Sequence, residues 1–170
     1  MYVSIASGTM LGRFGATTGR YLDAVDAADL YARVGGAPFF ERLVDTFYAG
    51  VADDAVLVRL YPEAPDLRGA QHRLTLFLTQ YWGGPTTYSD ERGHPRLRMR
   101  HLPFTIGPVE RDAWLAHMTA AVDVATADLP PQDATDVRAL LLGYFVPTAE
   151  QMRNDTGLPV SKKGSLRSPT

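Results

Sequence analysis

The chain has 170 residues, enough for one domain with a substantial core. Its 17 lysines and arginines against 19 aspartates and glutamates leave a formal net charge of -2, which gives no general attraction to nucleic acid or to an anionic membrane. The absence of cysteine excludes disulfides, thiolate catalysis, cysteine-ligated zinc and iron–sulfur clusters, suits the cytoplasm, and leaves any metal to histidine or carboxylate.

Residues 1–20 are rich in small and polar types and are expected to form a flexible N-terminal extension. They lack the continuous apolar core of a secretory signal, and no apolar run in the chain approaches the roughly 18 residues of a membrane span. Residues 21–154 read as one helical domain. Leu22, Val25, Leu30 and Val34 have helical spacing, which Gly35 and Gly36 end. Pro38 suits the first turn of the next helix, whose Phe40, Leu43, Val44, Phe47, Tyr48 and Val51 fall three and four apart on one face.

Asp53 and Asp54 interrupt that helix, a short segment carries Val56, Leu57, Leu60 and Tyr61, and residues 62–65 form a turn. Asp66 is placed to cap a helix whose inward face holds Leu67, Ala70, Leu74, Phe77, Leu78 and Tyr81. Gly83, Gly84 and Pro85 end it. The run from Arg96 to Arg100 alternates basic and apolar residues with a period of two, which passes for a short strand. Pro103 allows only a short helix around His101.

Pro108 starts a helix with Trp114, Leu115, Met118, Ala121, Val122 and Ala125 inward. After Pro130 and Pro131 comes a last helix with Val137, Leu140, Leu141, Tyr144, Phe145 and Met152 at helical spacing, and Pro147 is expected to kink it. Residues 155–170 read as a disordered C-terminal tail. The fold class is therefore all-α.

Ordered motifs run through this framework. They are Tyr31-Ala32-Arg33-Val34-Gly35-Gly36, Phe47-Tyr48, Leu60-Tyr61-Pro62-Glu63, Tyr81-Trp82-Gly83-Gly84-Pro85, the stretch from Gly93-His94-Pro95 to Arg100-His101, and Glu110-Arg111-Asp112-Ala113-Trp114. In that order and at that spacing they resemble a group II truncated haemoglobin from about Leu30 to Asn154. The resemblance implies a truncated globin fold, a shortened helical sandwich around haem b (iron protoporphyrin IX), and a short helix where the alternation suggests a strand. The chain departs from the family in its N-terminal extension, in Pro147, in an extra residue around residues 64–66 and in its basic tail.

A histidine in a helical domain is more often a satisfied structural residue than a metal ligand. By resemblance, His101 is the proximal ligand of haem iron, with its second ring nitrogen donating to a backbone carbonyl or similar acceptor. His72 and His117 lie off the apolar faces and read as surface residues. His94 matches a position in the loop before the proximal histidine, at the haem edge, although shaping that loop explains it equally well.

Tyr48, Tyr61 and Trp114 match the polar aromatic residues around the bound ligand in this family, although aromatic residues at helical spacing are otherwise simply core. A phenol or indole donor in a dry pocket stabilises bound O2, which draws electron density from its surroundings. Ala70 matches the place where many globins carry a distal histidine and can donate nothing. Leu74 matches an apolar lining position, and Phe47 supports the ring of Tyr48. Arg73 and Arg100, with Tyr88, match contacts to the haem propionates.

The implied function is reversible binding of O2 and other diatomic ligands. The alternative is a haem enzyme that oxidises NO or uses peroxide, with an external reductase as partner. No phosphate-binding loop, nucleophile elbow or zinc helix motif is present.

Overall fold

The computed structural model describes residues 29–155. The extension of residues 1–20, the segment 21–28 and the tail from 156 onward lie outside them. The described residues hold eight helices and no strand. These are α1 (Leu30–Arg33), α2 (Ala37–Ala52), α3 (Ala55–Val58), α4 (Arg68–Tyr81), α5 (Thr87–Arg92), α6 (Leu97–His101), α7 (Pro108–Thr126) and α8 (Pro131–Met152). Among the described residues no helix is long and apolar enough to cross a membrane.

Helix α2 is the centre of the packing. Its N-cap Gly36 takes φ 82, a conformation that favours glycine, and Pro38 occupies the first turn, where a missing N–H costs nothing. The six residues expected on its inner face are all buried, and Phe39 joins them. Each fully buried Phe or Leu removes enough apolar surface from water to contribute about 1.5–3 kcal/mol. Helix α2 packs against α4 on one side and α7 on the other, α7 packs against α8, and α8 reaches α6. Arg33 pairs with Asp133 and, at 3.4 Å, with Asp136, tying α1 to the start of α8.

Helix α7 starts as its sequence indicates. Pro108 lies in the first turn, and the carboxylate of Glu110 accepts the N–H of Gly107 at 2.9 Å. That carboxylate is held below its ordinary range by these backbone donors and by Arg59.

Three expectations change in detail. The α4 N-cap is Leu67, so Asp66 sits one residue outside the helix; it still accepts the first helical N–H, that of Arg68, at 3.1 Å. The run from Leu97 to His101 is helix α6, the short helix that the resemblance implied; its alternation is too short to distinguish a period of two from one turn of helix. Tyr81, expected inward, is 45% exposed. His117 is no surface residue: its side chain is 29% exposed, its Nε2 lies 2.8 Å from Asp54 Oδ2, and its ring fills the space a Cβ would need at Gly50. Gly50 alone allows the ring so close, and one sequence cannot reveal that pairing. His72 is exposed as expected, at 61% of its side chain. Helix α8 runs through Pro147 without a break.

Candidate functional site

One cavity of about 310 Å³ opens between the helices, within the usual range of about 300–1,000 Å³ for small-molecule and cofactor sites. Each wall follows from a helical repeat. Helix α4 contributes Ala70, Arg73, Leu74, Phe77 and Leu78, which recur three and four apart. Helix α8 contributes Tyr144, Phe145, Thr148, Ala149 and Met152 by the same rule, and α7 contributes Trp114. Tyr48 reaches in from α2, with Leu60 and Tyr61 from the segment after α3. Helix α6 closes the cavity with Leu97, Arg100 and His101.

The histidine is oriented from its own helix. His101 Nδ1 lies 2.7 Å from the carbonyl oxygen of Leu97, one turn back. A carbonyl has no proton to give, so Nδ1 carries the hydrogen, and in the neutral ring Nε2 keeps its lone pair. No group of three or more metal-ligating side chains exists among the described residues.

The polar aromatics form a connected set. The rings of Tyr48 and Tyr61 meet edge to face with centroids 5.6 Å apart, and their phenols interact electrostatically. Burial pushes the pKa of both phenols up, so both keep their protons and remain donors at neutral pH. Phe47 stands behind this set, outside the cavity lining, 5.0 Å from the Tyr48 ring and 5.4 Å from that of Trp114. Phe145 holds Trp114 from another side at 5.8 Å.

Arg73 is a cavity residue already in a bidentate pair with Glu63, at 2.9 and 2.7 Å, and the guanidinium holds the Glu63 carboxyl below its ordinary range. Arg100 donates through Nε to Pro95 O at 2.8 Å and through Nη2 to Arg92 O at 3.1 Å, so half its role is to hold the loop before α6. Tyr88 is buried outside the lining, edge to face with Phe77 at 5.6 Å. His94 is exposed, and its Nδ1 accepts the N–H of Arg96 at 3.3 Å, where the backbone takes the left-handed φ 43. The structure thus gathers His101, Tyr48, Tyr61, Trp114, Ala70, Leu74, Arg73 and Arg100 at one cavity and leaves Phe47, Tyr88 and His94 outside it.

Sequence reasoning missed Arg111 as a lining residue, and it treated Tyr144 and Met152 only as core. Tyr144 lies against Tyr81 with the rings tilted and their centroids 4.2 Å apart, and burial raises its phenol to about 12. Its helical spacing with Phe145 and Met152 located the face without showing that the face borders a cavity.

An all-helical fold closing around one largely apolar cavity, with an oriented histidine in the wall, is the arrangement of a globin. The chain belongs to the bacterial-like globin family, whose profile matches residues 29–141, and within it to the group II truncated haemoglobins. It is 40% identical over 121 residues to a group 2 truncated haemoglobin of Bacillus subtilis, covering 71% of this chain and 86% of that one. Among solved structures it resembles a thermostable haemoglobin from Thermobifida fusca, with 54% identity, a TM-score of 0.67, and coverage of 73% of this chain and 95% of that one. The haemoglobin of Chloroflexus aurantiacus is similar at 49% identity and a TM-score of 0.66, over 74% and 97% of the two chains.

Membership implies haem as the cofactor and diatomic molecules as ligands. The residues present fit that cofactor: the walls are mostly apolar, one imidazole nitrogen carries a free lone pair, and Arg73, Arg100 and Arg111 offer cations to its carboxylates.

Proposed function

We propose that this protein holds haem b through His101 Nε2 and binds O2 and other diatomic ligands reversibly beneath Tyr48, Tyr61 and Trp114. One observation carries the reading: the Leu97 carbonyl fixes the His101 tautomer at 2.7 Å on the cavity that the three polar aromatics also line. Haem, held by His101, would supply an iron able to bind a diatomic molecule. The protein does the rest. Leu97 O sets the ring plane of His101 and holds its Nδ1 hydrogen in place. The buried hydroxyls of Tyr48 and Tyr61 and the indole N–H of Trp114 present donors in a water-poor space, where each hydrogen bond is stronger than in water. Ala70 adds neither a donor nor bulk. Arg73 and Arg100 are the partners proposed for the propionates, Arg73 alongside its pair with Glu63. A solved relative from Bacillus subtilis, 40% identical with a TM-score of 0.63, is described as an oxygen-avid haemoglobin, which supports O2 as the ligand.

The absorption spectrum tests this reading. The haem-reconstituted protein is expected to show an intense near-ultraviolet band that shifts on exposure to O2 or CO. His101→Ala is expected to lose haem readily and to melt at a lower temperature than the wild-type holoprotein, because haem bound to the native state stabilises it. Full haem occupancy with an unchanged spectrum in His101→Ala would overturn the ligand assignment.

A further inference from the structure

Helix α6 is an unusual support for a metal ligand. It has five residues, none fully buried, and its N-cap Arg96 is in the left-handed region at φ 43. An element this short lacks a full internal ladder, so most of its carbonyls need partners from elsewhere. At the N-terminal side Arg100 binds back to Pro95 O and Arg92 O. At the C-terminal side His101 O accepts the N–H of Phe104 at 3.1 Å and takes a second partner from the far end of the domain, 53 positions later.

That partner is Asn154, just beyond α8. Its Nδ2 donates to His101 O at 3.2 Å and to Phe104 O at 2.6 Å, and its Oδ1 accepts the N–H of Ile106 at 2.9 Å. Its own backbone N–H donates to Ile106 O at 3.0 Å. Two carbonyls on one side and one N–H on the other leave no ambiguity over which end of the amide is nitrogen. A carboxamide with two donors and an acceptor matches this set, whereas a carboxylate would turn an acceptor toward two carbonyl oxygens.

We propose that Asn154 is a positioning residue for His101: it fixes the turn after α6 to the end of α8 and so sets how the imidazole meets the iron. The inference rests on His101 being the ligand. With so little burial of its own, α6 takes its place from these bonds. Loss of the carboxamide leaves the His101 carbonyl with the Phe104 N–H alone, at 3.1 Å, and holds the 102–106 turn to the end of α8 only through Ile106 O, so the turn loosens and the ring tilts with its backbone.

The test compares wild type, Asn154→Asp and the milder Asn154→Ser, each as full chain loaded with haem. Resonance Raman of the ferrous, ligand-free protein reads the iron–histidine stretch, and transfer to an excess of apomyoglobin reads haem loss. Both variants are expected to shift or broaden that stretch and to lose haem roughly ten- to a hundredfold faster, the usual effect of losing a group that orients a metal ligand. Hydrogen exchange of the Ile106 amide in the apoprotein is expected to rise as well. The same substitutions in His101→Gly protein complemented with free imidazole are expected to leave the iron–imidazole stretch unchanged, because an untethered ligand does not feel α6. An unaltered stretch in both variants overturns the proposal while leaving His101 as ligand. Equal changes in the imidazole-complemented background overturn it in favour of a purely structural role. A wild-type protein without an iron–histidine stretch overturns the His101 assignment and this inference together.

Discussion

Asp54 and His117 join α3 to α7 through one carboxylate: Oδ1 accepts the N–H groups of Val56 and Leu57 at 2.7 and 3.2 Å, while Oδ2 lies 2.8 Å from His117 Nε2. The same side chain therefore caps a short helix below the cavity and anchors it to the helix that carries Trp114. His117, mainly, and the two backbone donors hold the Asp54 carboxyl below its ordinary value.

A group with a depressed folded-state pKa stabilises the fold above its unfolded value, and that contribution is lost as the pH falls through the folded value. Asp54→Ala is accordingly expected to melt below wild type at pH 7. The gap between the two narrows as the pH drops below about 4, where the unfolded carboxyl is protonated. Thermal melts of the apoprotein across that range check the sign. A gap that widens in acid would show that the carboxylate is not the stabilising form.

Trp114→Phe and Tyr48→Phe are expected to speed O2 release. Phe47 and Phe145 pack the indole on two sides, so a phenyl ring keeps most of that packing and the comparison isolates the donor. Loss of a donor to a partly charged ligand costs about 1.5–3 kcal/mol, or roughly ten- to a hundredfold in release rate if association is unchanged. The Trp114 variant is expected to show the larger effect, because Tyr48 and Tyr61 lie ring against ring and the surviving hydroxyl can turn toward the ligand. Stopped-flow displacement of O2 measures both, and a Trp114 variant within twofold of wild type would return that residue to the core.

Two glycines are expected to respond to alanine with opposite signs. A Cβ at Gly84 would lie 2.7 Å from both Thr79 Cγ2 and the Tyr31 ring and 2.8 Å from Thr79 O, which is backbone and cannot move away cheaply. Gly84→Ala should destabilise by about 1–3 kcal/mol. Gly143 lies inside α8 with nothing within 4 Å of the added carbon, so Gly143→Ala should stabilise by roughly 0.5–1 kcal/mol. Denaturant titrations of the two variants test the contrast.

Removal of residues 1–20 and 156–170 should leave the haem spectrum and the O2 release rate unchanged within about twofold, because the compositions of those flanks do not favour joining a packed core. The cut is placed after Asp155, since its N–H donates to Ile106 O at 3.2 Å and belongs to the contacts around the α6 turn. Faster haem loss from the trimmed protein would show that a flank covers the cavity.

Much of this architecture is legible in the residues themselves. The inward faces of α2 and α7 follow from the spacing of Phe40 to Val51 and of Met118 to Ala125, where burial is one-sided and the helical period is sustained. The family motifs led to His101 and the polar aromatics, and the structure gathers those residues at one cavity. What was hidden depends on distant pairs. His117 looked solvated because its partner is 63 positions away, and the bonds of Arg100, which the resemblance pointed at the propionates, went unseen because its acceptors are backbone carbonyls, which no side-chain pattern reports. Asn154 carried no signal at all, since its three partners are main-chain groups.

The cavity wall formed by Tyr144, Phe145, Thr148, Ala149 and Met152 is also the last part of the domain to be made. A chain grows from its N-terminus at about 5–20 residues per second, so the faces of α2, α4 and α7 that will border the cavity emerge while that wall is still missing. Through that interval they are open to water and to other chains. The pocket closes only once α8 has been synthesised, which places cofactor capture at the end of translation and leaves a nascent chain truncated before Tyr144 without a complete site.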